Sequence, residues 1–208
     1  MRPEKMPKPP KIAAVLLAAG ASSRMHGQDK LLKEIDGIPL IRRAALTCIA
    51  SQATETIVVL SEGNEDRKQA LADLNLHIVE NHKAETGMAS SIRRGVQACN
   101  ERFQALVLVL GDMPDVRATD IDVLISAFNP ERGATICRAV TSSGKPGHPV
   151  LFGADHFVAL LALGGDSGAK AVVEAKSKHV KNVITSEEGA RTDLDTPEDW
   201  ERYLSNKS

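Results

Sequence analysis

Apolar and polar positions follow two different periods along this chain. Ile12–Ala18 (IAAVLLA), Thr56–Leu60 (TIVVL) and Ala105–Leu110 (ALVLVL) are continuous apolar runs of strand length, suited to burial on both faces. Leu76–Glu80, Ala134–Val140, Pro149–Phe152 and His179–Thr185 are further strand candidates, and the second and third of these, 134–140 and 149–152, are joined by the turn-rich TSSGKPGH. Helical spacing recurs in Gly37–Ser51, with Pro39 near its start, and in Met88–Asn100, Thr119–Phe128, Ala154–Leu163 and Gly168–Ser177. Asn64–Leu74 reads as a polar, solvent-facing helix. A closing helix over Thr196–Leu204 carries its own start signals: Thr196 at the N-cap, Pro197 at the first helical position, then Glu198 and Asp199.

Strands interleaved with helices predict an α/β fold, a three-layer α/β/α sandwich around a mostly parallel sheet. Ligands of such sheets bind beyond the carboxyl ends of the strands. The loops that matter are then residues 18–30, 81–90 and 111–115, and each has unusual chemistry. Residues 1–10 are charged and Pro-rich without an apolar stretch and read as a flexible tail, with one domain over 11–208.

Composition narrows the function classes. At 208 residues the chain suits one domain with a sizeable core. The net charge of −1 provides no global field for nucleic acid or an acidic membrane, so any anion site is local. One Trp and one Tyr make base stacking on exposed aromatics an improbable mode of binding. Cys48, Cys99 and Cys137 are far apart with no C-x-x-C pair, which points to core thiols in a reducing, cytoplasmic setting rather than to disulfides or zinc. No apolar run reaches the roughly 20 residues of a membrane span.

The candidate chemistry begins where the first strand ends. AAGASSRMHGQDKLL places Gly20, Ser22, Ser23, Arg24, Gly27 and Lys30 in one loop, a combination of free N–H groups and cations able to cradle phosphate. It is neither a G-x-x-x-x-G-K-[ST] loop, since Leu31 follows Lys30, nor a G-x-G-x-x-G fingerprint. Beyond the most apolar strand, Asp112 in GDMPD stands where a carboxylate can meet a phosphate-bound cation, although Gly111-Asp112 is also an ordinary turn. In TDLDTPED, Asp193 and Asp195 share a side in extended backbone, and either could complete such a site. Ser90 and Ser91 open a helix; they are suited to a ribose or base edge and equally to capping. His148 stands at the mouth of a strand, where a lone His is more often structural.

These segments carry a resemblance. LAAGASSRMHGQDKLL with the following DGIPLI is similar to the L-A-[AG]-G-x-S-x-R-M-G-x-x-K signature of the MobA-like nucleotidyltransferase superfamily, departing at His26 where glycine is usual. GDMP resembles its metal-binding G-D-x-P motif, GMASSI its G-M-[AS]-S-S-[IL] stretch, and GHPV with GDSGAK resembles the molybdenum cofactor cytidylyltransferase (MocA-like) branch. The resemblance implies a nucleotide-diphospho-sugar transferase-like fold and Mg²⁺-dependent transfer of CMP from CTP to the phosphate of molybdopterin, with pyrophosphate released. It implies catalytic roles for Arg24, Lys30 and Asp112, and a metal site at Asp112 and Asp195, with Asp193 as the second choice. Leu17, Ala18, Ala19, Gly20, Ser22, Ser23, Arg24, Lys30, Gly87, Ser90 and Ser91 would bind nucleotide, and His148, Asp166 and Lys170 the acceptor. Ala19 in place of Gly fits CTP over GTP. A molybdenum hydroxylase is the implied client, with no nucleic-acid or membrane partner. The rival readings are another phosphorylated acceptor (methylerythritol phosphate or a sugar phosphate), guanylyl transfer, a non-catalytic carrier of the cofactor, or a related oxidoreductase.

Overall fold

The computed structural model describes residues 9–185 and 189–207; residues 1–8, most of the expected tail, lie outside them. Among the described residues nine strands and seven α-helices follow in chain order. They are β1 (Ile12–Ala18), β2 (Glu34–Ile35), β3 (Ile38–Pro39), α1 (Leu40–Ile49), β4 (Glu55–Ser61), α2 (Glu65–Gln69), β5 (His77–Asn81), α3 (Met88–Cys99), β6 (Ala105–Leu110), α4 (Ala118–Ala127), β7 (Ile136–Val140), β8 (Pro146–Gly153), α5 (Phe157–Leu161), α6 (Lys170–Ala175), β9 (Val180–Ile184) and α7 (Pro197–Ser205). Seven strands form one sheet in the order β5-β4-β1-β6-β8-β7-β9. Strands β1, β4, β5 and β6 pair in parallel, β8 runs antiparallel to both β6 and β7, and β9 returns parallel to β7.

The two-residue period of β1 sorts its side chains into two cores. Ile12, Ala14, Leu16 and Ala18 face one side, where α1, α4 and α7 contribute Leu40, Ile41, Leu124 and Trp200. Ala13 and Val15 face the other, against Ile92 and Val96 of α3, Leu160 of α5 and Val172 of α6. A strand buried this way contributes about 1.5–3 kcal/mol for each Val, Leu or Ile it removes from water. The result is the three-layer sandwich that the pattern predicts, its sheet parallel except at β8.

Several expectations need correction. Gly37–Ser51 is not a single helix: β3 pairs antiparallel with β2, and α1 starts only after Pro39. Residues 64–74 form a helix only over Glu65–Gln69, and it is not solvent-facing throughout, since Arg67 is buried. Pro146-Gly147-His148 belongs to β8 instead of to the link before it. The three cysteines are buried and free; burial pushes the Cys48 and Cys99 thiols up to about 12 and that of Cys137 to about 11, so they act as small hydrophobes. No helix among the described residues is long and apolar enough to cross a membrane.

Helix α7 has a reciprocal cap, in which Asp199 N–H donates to Thr196 Oγ1 (3.2 Å) and Thr196 N–H donates to Asp199 Oδ2 (3.0 Å). Its Tyr203 is buried and donates to Asp115 Oδ1 at 2.6 Å. Burial and the adjacent carboxylate raise the phenol above the ordinary tyrosine range. A raised phenol pKa stabilises the fold fully below about pH 10, the unfolded value, and the contribution is lost as pH rises through the folded value. Because the chain has one tyrosine, an absorbance titration of phenolate reads this group alone. The expected midpoint lies above 10 and falls to the ordinary value on unfolding; an ordinary midpoint in the folded protein would refute the contact.

Candidate active site

The carboxyl ends of β1 and β6 and the approach to α7 meet in an open cleft of about 510 Å³. Its wall includes residues 17–24, Lys30 and Leu31 from the first loop, Gly87, Met88 and Ser91 from the start of α3, and Asp112, Asp166, Asp193 and Asp195. Loops from five separate parts of the chain therefore converge where the topology predicts a ligand.

Charge is concentrated on Lys30. Its ammonium bridges Asp112 Oδ2 at 2.6 Å and Asp195 Oδ1 at 2.5 Å, and Arg24 Nη1 reaches the other oxygen of Asp195 at 2.8 Å. Burial opposes the charge on Lys30, but the two carboxylates outweigh it and hold the lysine above its ordinary value. Asp195 shows the converse: burial works against its charge, while Lys30 and Arg24 keep it below the usual carboxylate range. Among the described residues Asp193 has no such partner, and burial together with the charges of Asp195 and Asp112 pushes it up.

Backbone contacts bring these groups together from a distance of more than 80 residues in sequence. Gly111 N–H donates to Leu17 O (3.0 Å), and Leu194 N–H donates to Asp112 O (3.0 Å), which ties the late acidic segment to the GDMP turn. The same segment is held from below, because His148 N–H donates to Ala190 O at 2.8 Å. Gly147 permits that approach: a β-carbon there would stand 2.0 Å from Ala190 O. In GHPV, then, glycine and the His backbone dock the segment that carries Asp195.

The first loop is held by a network that the sequence pattern did not disclose. Arg67, 2% exposed, forks onto Asp29 through Nε (2.7 Å to Oδ2) and Nη2 (2.8 Å to Oδ1). It also donates to Ala18 O (2.6 Å) and Gly20 O (2.9 Å), the carbonyls where β1 turns into the loop. Asp29 Oδ1 in turn accepts from Leu31 N–H (2.9 Å), and Lys30 N–H donates to Ser22 Oγ (3.1 Å). Both ends of the loop are stapled by one guanidinium. The signal was a charged residue in a short helix opposite the loop, indistinguishable by pattern from a solvated one. His26 adopts φ +50, the left-handed region where glycine is favoured and His is among the tolerated residues. The backbone that glycine would give is thus kept, at a cost of about 1 kcal/mol.

The expected binding residues divide. Leu17, Ala18, Ala19, Gly20, Ser22, Ser23, Arg24, Lys30, Gly87 and Ser91 line the cleft together with Asp112, Asp195 and Asp166. Gly87, at φ +103, packs against Gly165 O and Asp166, where a β-carbon would collide. Ser90 lies behind the wall, donating to Gly87 O (2.8 Å) and accepting from Asn81 Nδ2 (2.8 Å). His148 and Lys170 are not brought to the cleft wall. Burial lowers the pKa of the His148 ring, whose buried Nδ1 has no hydrogen-bond partner among the described residues, and Lys170 is exposed beside Glu174 at 3.7 Å.

The donor set fits a hard divalent cation. Nothing among the described residues donates a hydrogen bond to the buried Asp112 Oδ1. Among the described residues no group of three or more His, Cys, Asp or Glu side chains forms a ready metal cage. One or two carboxylates completed by phosphate and water oxygens is the usual arrangement for Mg²⁺ beside a nucleotide.

Residues 14–181 match the family described as MobA-like NTP transferase domain. The nicotine blue oxidoreductase of Paenarthrobacter nicotinovorans is 30% identical over 200 residues, covering 94% of this chain and 97% of that protein. The crystal structure of an Rv0371c homologue from Mycobacterium sp. strain JC1 superposes with a TM-score of 0.81 at 26% identity, covering 94% of this chain and 96% of the other. Rv0371c of Mycobacterium tuberculosis H37Rv, solved in complex with manganese, has a TM-score of 0.78 at 23% identity over 94% of this chain and 98% of its own.

Proposed function

This chain belongs to the MobA-like NTP transferase family, and on that premise we propose that it transfers CMP from CTP to the terminal phosphate of molybdopterin and releases pyrophosphate. The observation that carries this reading is the Lys30 ammonium shared by Asp112 and Asp195 on the wall of a cleft bounded by the phosphate-type loop.

In this reading the loop N–H groups and Arg24 receive the triphosphate, and Lys30 stabilises charge that develops on the departing pyrophosphate. Asp112 and Asp195 would hold a divalent cation such as Mg²⁺. When bound, the cation shields the phosphate oxygens so that one phosphate can approach another. The acceptor phosphate is already ionised at neutral pH, so no protein base is needed, and the chain acts by positioning and electrostatics. Ala19 places a methyl on the cleft wall and supports the smaller pyrimidine nucleotide. Asp166, on the cleft wall, would bind the acceptor, while His148 and Lys170, away from the wall, take no part in this scheme.

Pyrophosphate release with Mg²⁺ and molybdopterin tests it, with CTP, GTP and ATP compared. CTP is expected to exceed the others by about tenfold in kcat/KM, a discrimination of about 1.4 kcal/mol. A GTP preference would overturn the nucleotide assignment and leave the family untouched. The relative named nicotine blue oxidoreductase favours a second reading, redox chemistry on a heteroaromatic substrate. No pyrophosphate from any nucleotide, together with reduction of such a compound by a nicotinamide donor, would select it.

A further inference from the structure

We propose that Lys30 is a built-in substitute for the divalent cation: in the nucleotide-free protein its ammonium occupies the two carboxylates, and it releases them when nucleotide phosphates engage it. Metal and nucleotide are then coupled ligands, each raising the affinity of the other. The inference deepens the nucleotidyltransferase reading and rests on it.

The geometry supports this in three ways. First, the Lys30 ammonium lies 2.6 Å from Asp112 Oδ2 and 2.5 Å from Asp195 Oδ1, so it engages both carboxylates that would hold a metal. A cation held by these two carboxylates would stand within a few ångströms of the ammonium, and the two like charges would repel. Second, the head of Lys30 can leave without the loop. Its backbone N–H is held by Ser22 Oγ at 3.1 Å, while the side chain is a flexible four-carbon stem. Third, the rest of the cleft cannot replace the lost charge. Besides the bridged pair it carries Glu85, Asp166 and Asp193, against which Arg24 is the other lining cation. A bare triphosphate meets net negative charge there, so the nucleotide must bring positive charge with it. As the phosphates draw Lys30 toward them, Asp112 and Asp195 become free for that cation.

The test measures Mn²⁺ binding to the full-length protein without nucleotide, from the paramagnetic resonance signal of free Mn²⁺. Lys30→Met is expected to bind one Mn²⁺ about tenfold or more tightly than the wild type, the order expected on removing a unit charge a few ångströms away. Lys30→Arg, which keeps the cation, gains nothing. Adding Asp112→Asn to Lys30→Met abolishes the gain. Thermal melts establish folding, and if Lys30→Met fails to fold, Lys30→Gln carries the same expectation. Affinity in the folded Met or Gln variant equal to or below wild type overturns the proposal, as does a gain that survives Asp112→Asn. Pyrophosphate release by the wild type, run in parallel, separates the two levels. Turnover without the Mn²⁺ gain overturns the Lys30 role alone. The gain without turnover overturns the functional reading and leaves the metal role of Lys30 standing.

Discussion

Asp112→Asn is expected to lower pyrophosphate release by about three orders of magnitude while the fold persists. Asparagine keeps the size of the side chain and one oxygen but removes the charge. The Asp112 backbone oxygen still accepts from Leu194 N–H, so the late acidic segment remains docked. Lys30 keeps Asp195 as a partner at 2.5 Å. What disappears is the charge of one of the two carboxylates available to a cation, at a side chain whose buried Oδ1 has no hydrogen-bond partner among the described residues. Metal stabilisation of phosphoryl charge is worth several kcal/mol, and about 4 kcal/mol corresponds to about a thousandfold in rate. Steady-state pyrophosphate release with saturating Mg²⁺ and CTP measures it. A variant within about tenfold of wild type would show that Asp112 is only the turn residue its Gly-Asp context also permits.

Arg67→Ala is expected to destabilise the protein by about 3–5 kcal/mol, the loss typical of removing one partner of a buried ion pair. Asp29 would be left partly buried without its guanidinium, and the carbonyls of Ala18 and Gly20 would lose their donors. Lysine is not expected to rescue, because one ammonium cannot make the two-pronged contact to Asp29 and also reach both carbonyls. Urea denaturation reads the loss directly, and a cost below about 1 kcal/mol would mean that the loop holds itself. The pH dependence gives an independent check. Burial works against the Asp29 charge, yet Arg67 and the loop hydrogen bonds hold its pKa below the usual carboxylate value. A lowered carboxylate pKa contributes stability above its unfolded value of about 4, and that contribution fades as pH falls through the folded value. The gap between wild type and variant should therefore narrow in acid.

Strands β1, β4 and β6 were legible because a strand buried on both faces must be apolar at nearly every position, and little else in a chain has that pattern. The helix over 88–100 and the closing helix were legible for a related reason: an amphipathic stripe in one case, a side-chain cap followed by proline in the other. Short elements were not. The β2–β3 hairpin has two residues per strand, too few to show a period, and the pattern over 64–74 is about twice the length of α2 because its polar residues carry no phase. The antiparallel direction of β8 left no trace in composition.

The site divides along the same line. Sequence by itself determined which residue types stand at the strand ends: a glycine-rich loop with two cations, an aspartate after β6, a late pair of aspartates. These are local facts, set by spacing along the chain. Tertiary structure decided which of them meet. It placed Asp195 rather than Asp193 against Lys30, used Gly147 and the His148 backbone to dock the acidic segment, and left Lys170 in solvent. It also buried Arg67 beneath the loop. The physical reason is that charge pairing acts over a few ångströms through space, whereas a sequence records separation along the chain, and only the packed sheet converts one into the other.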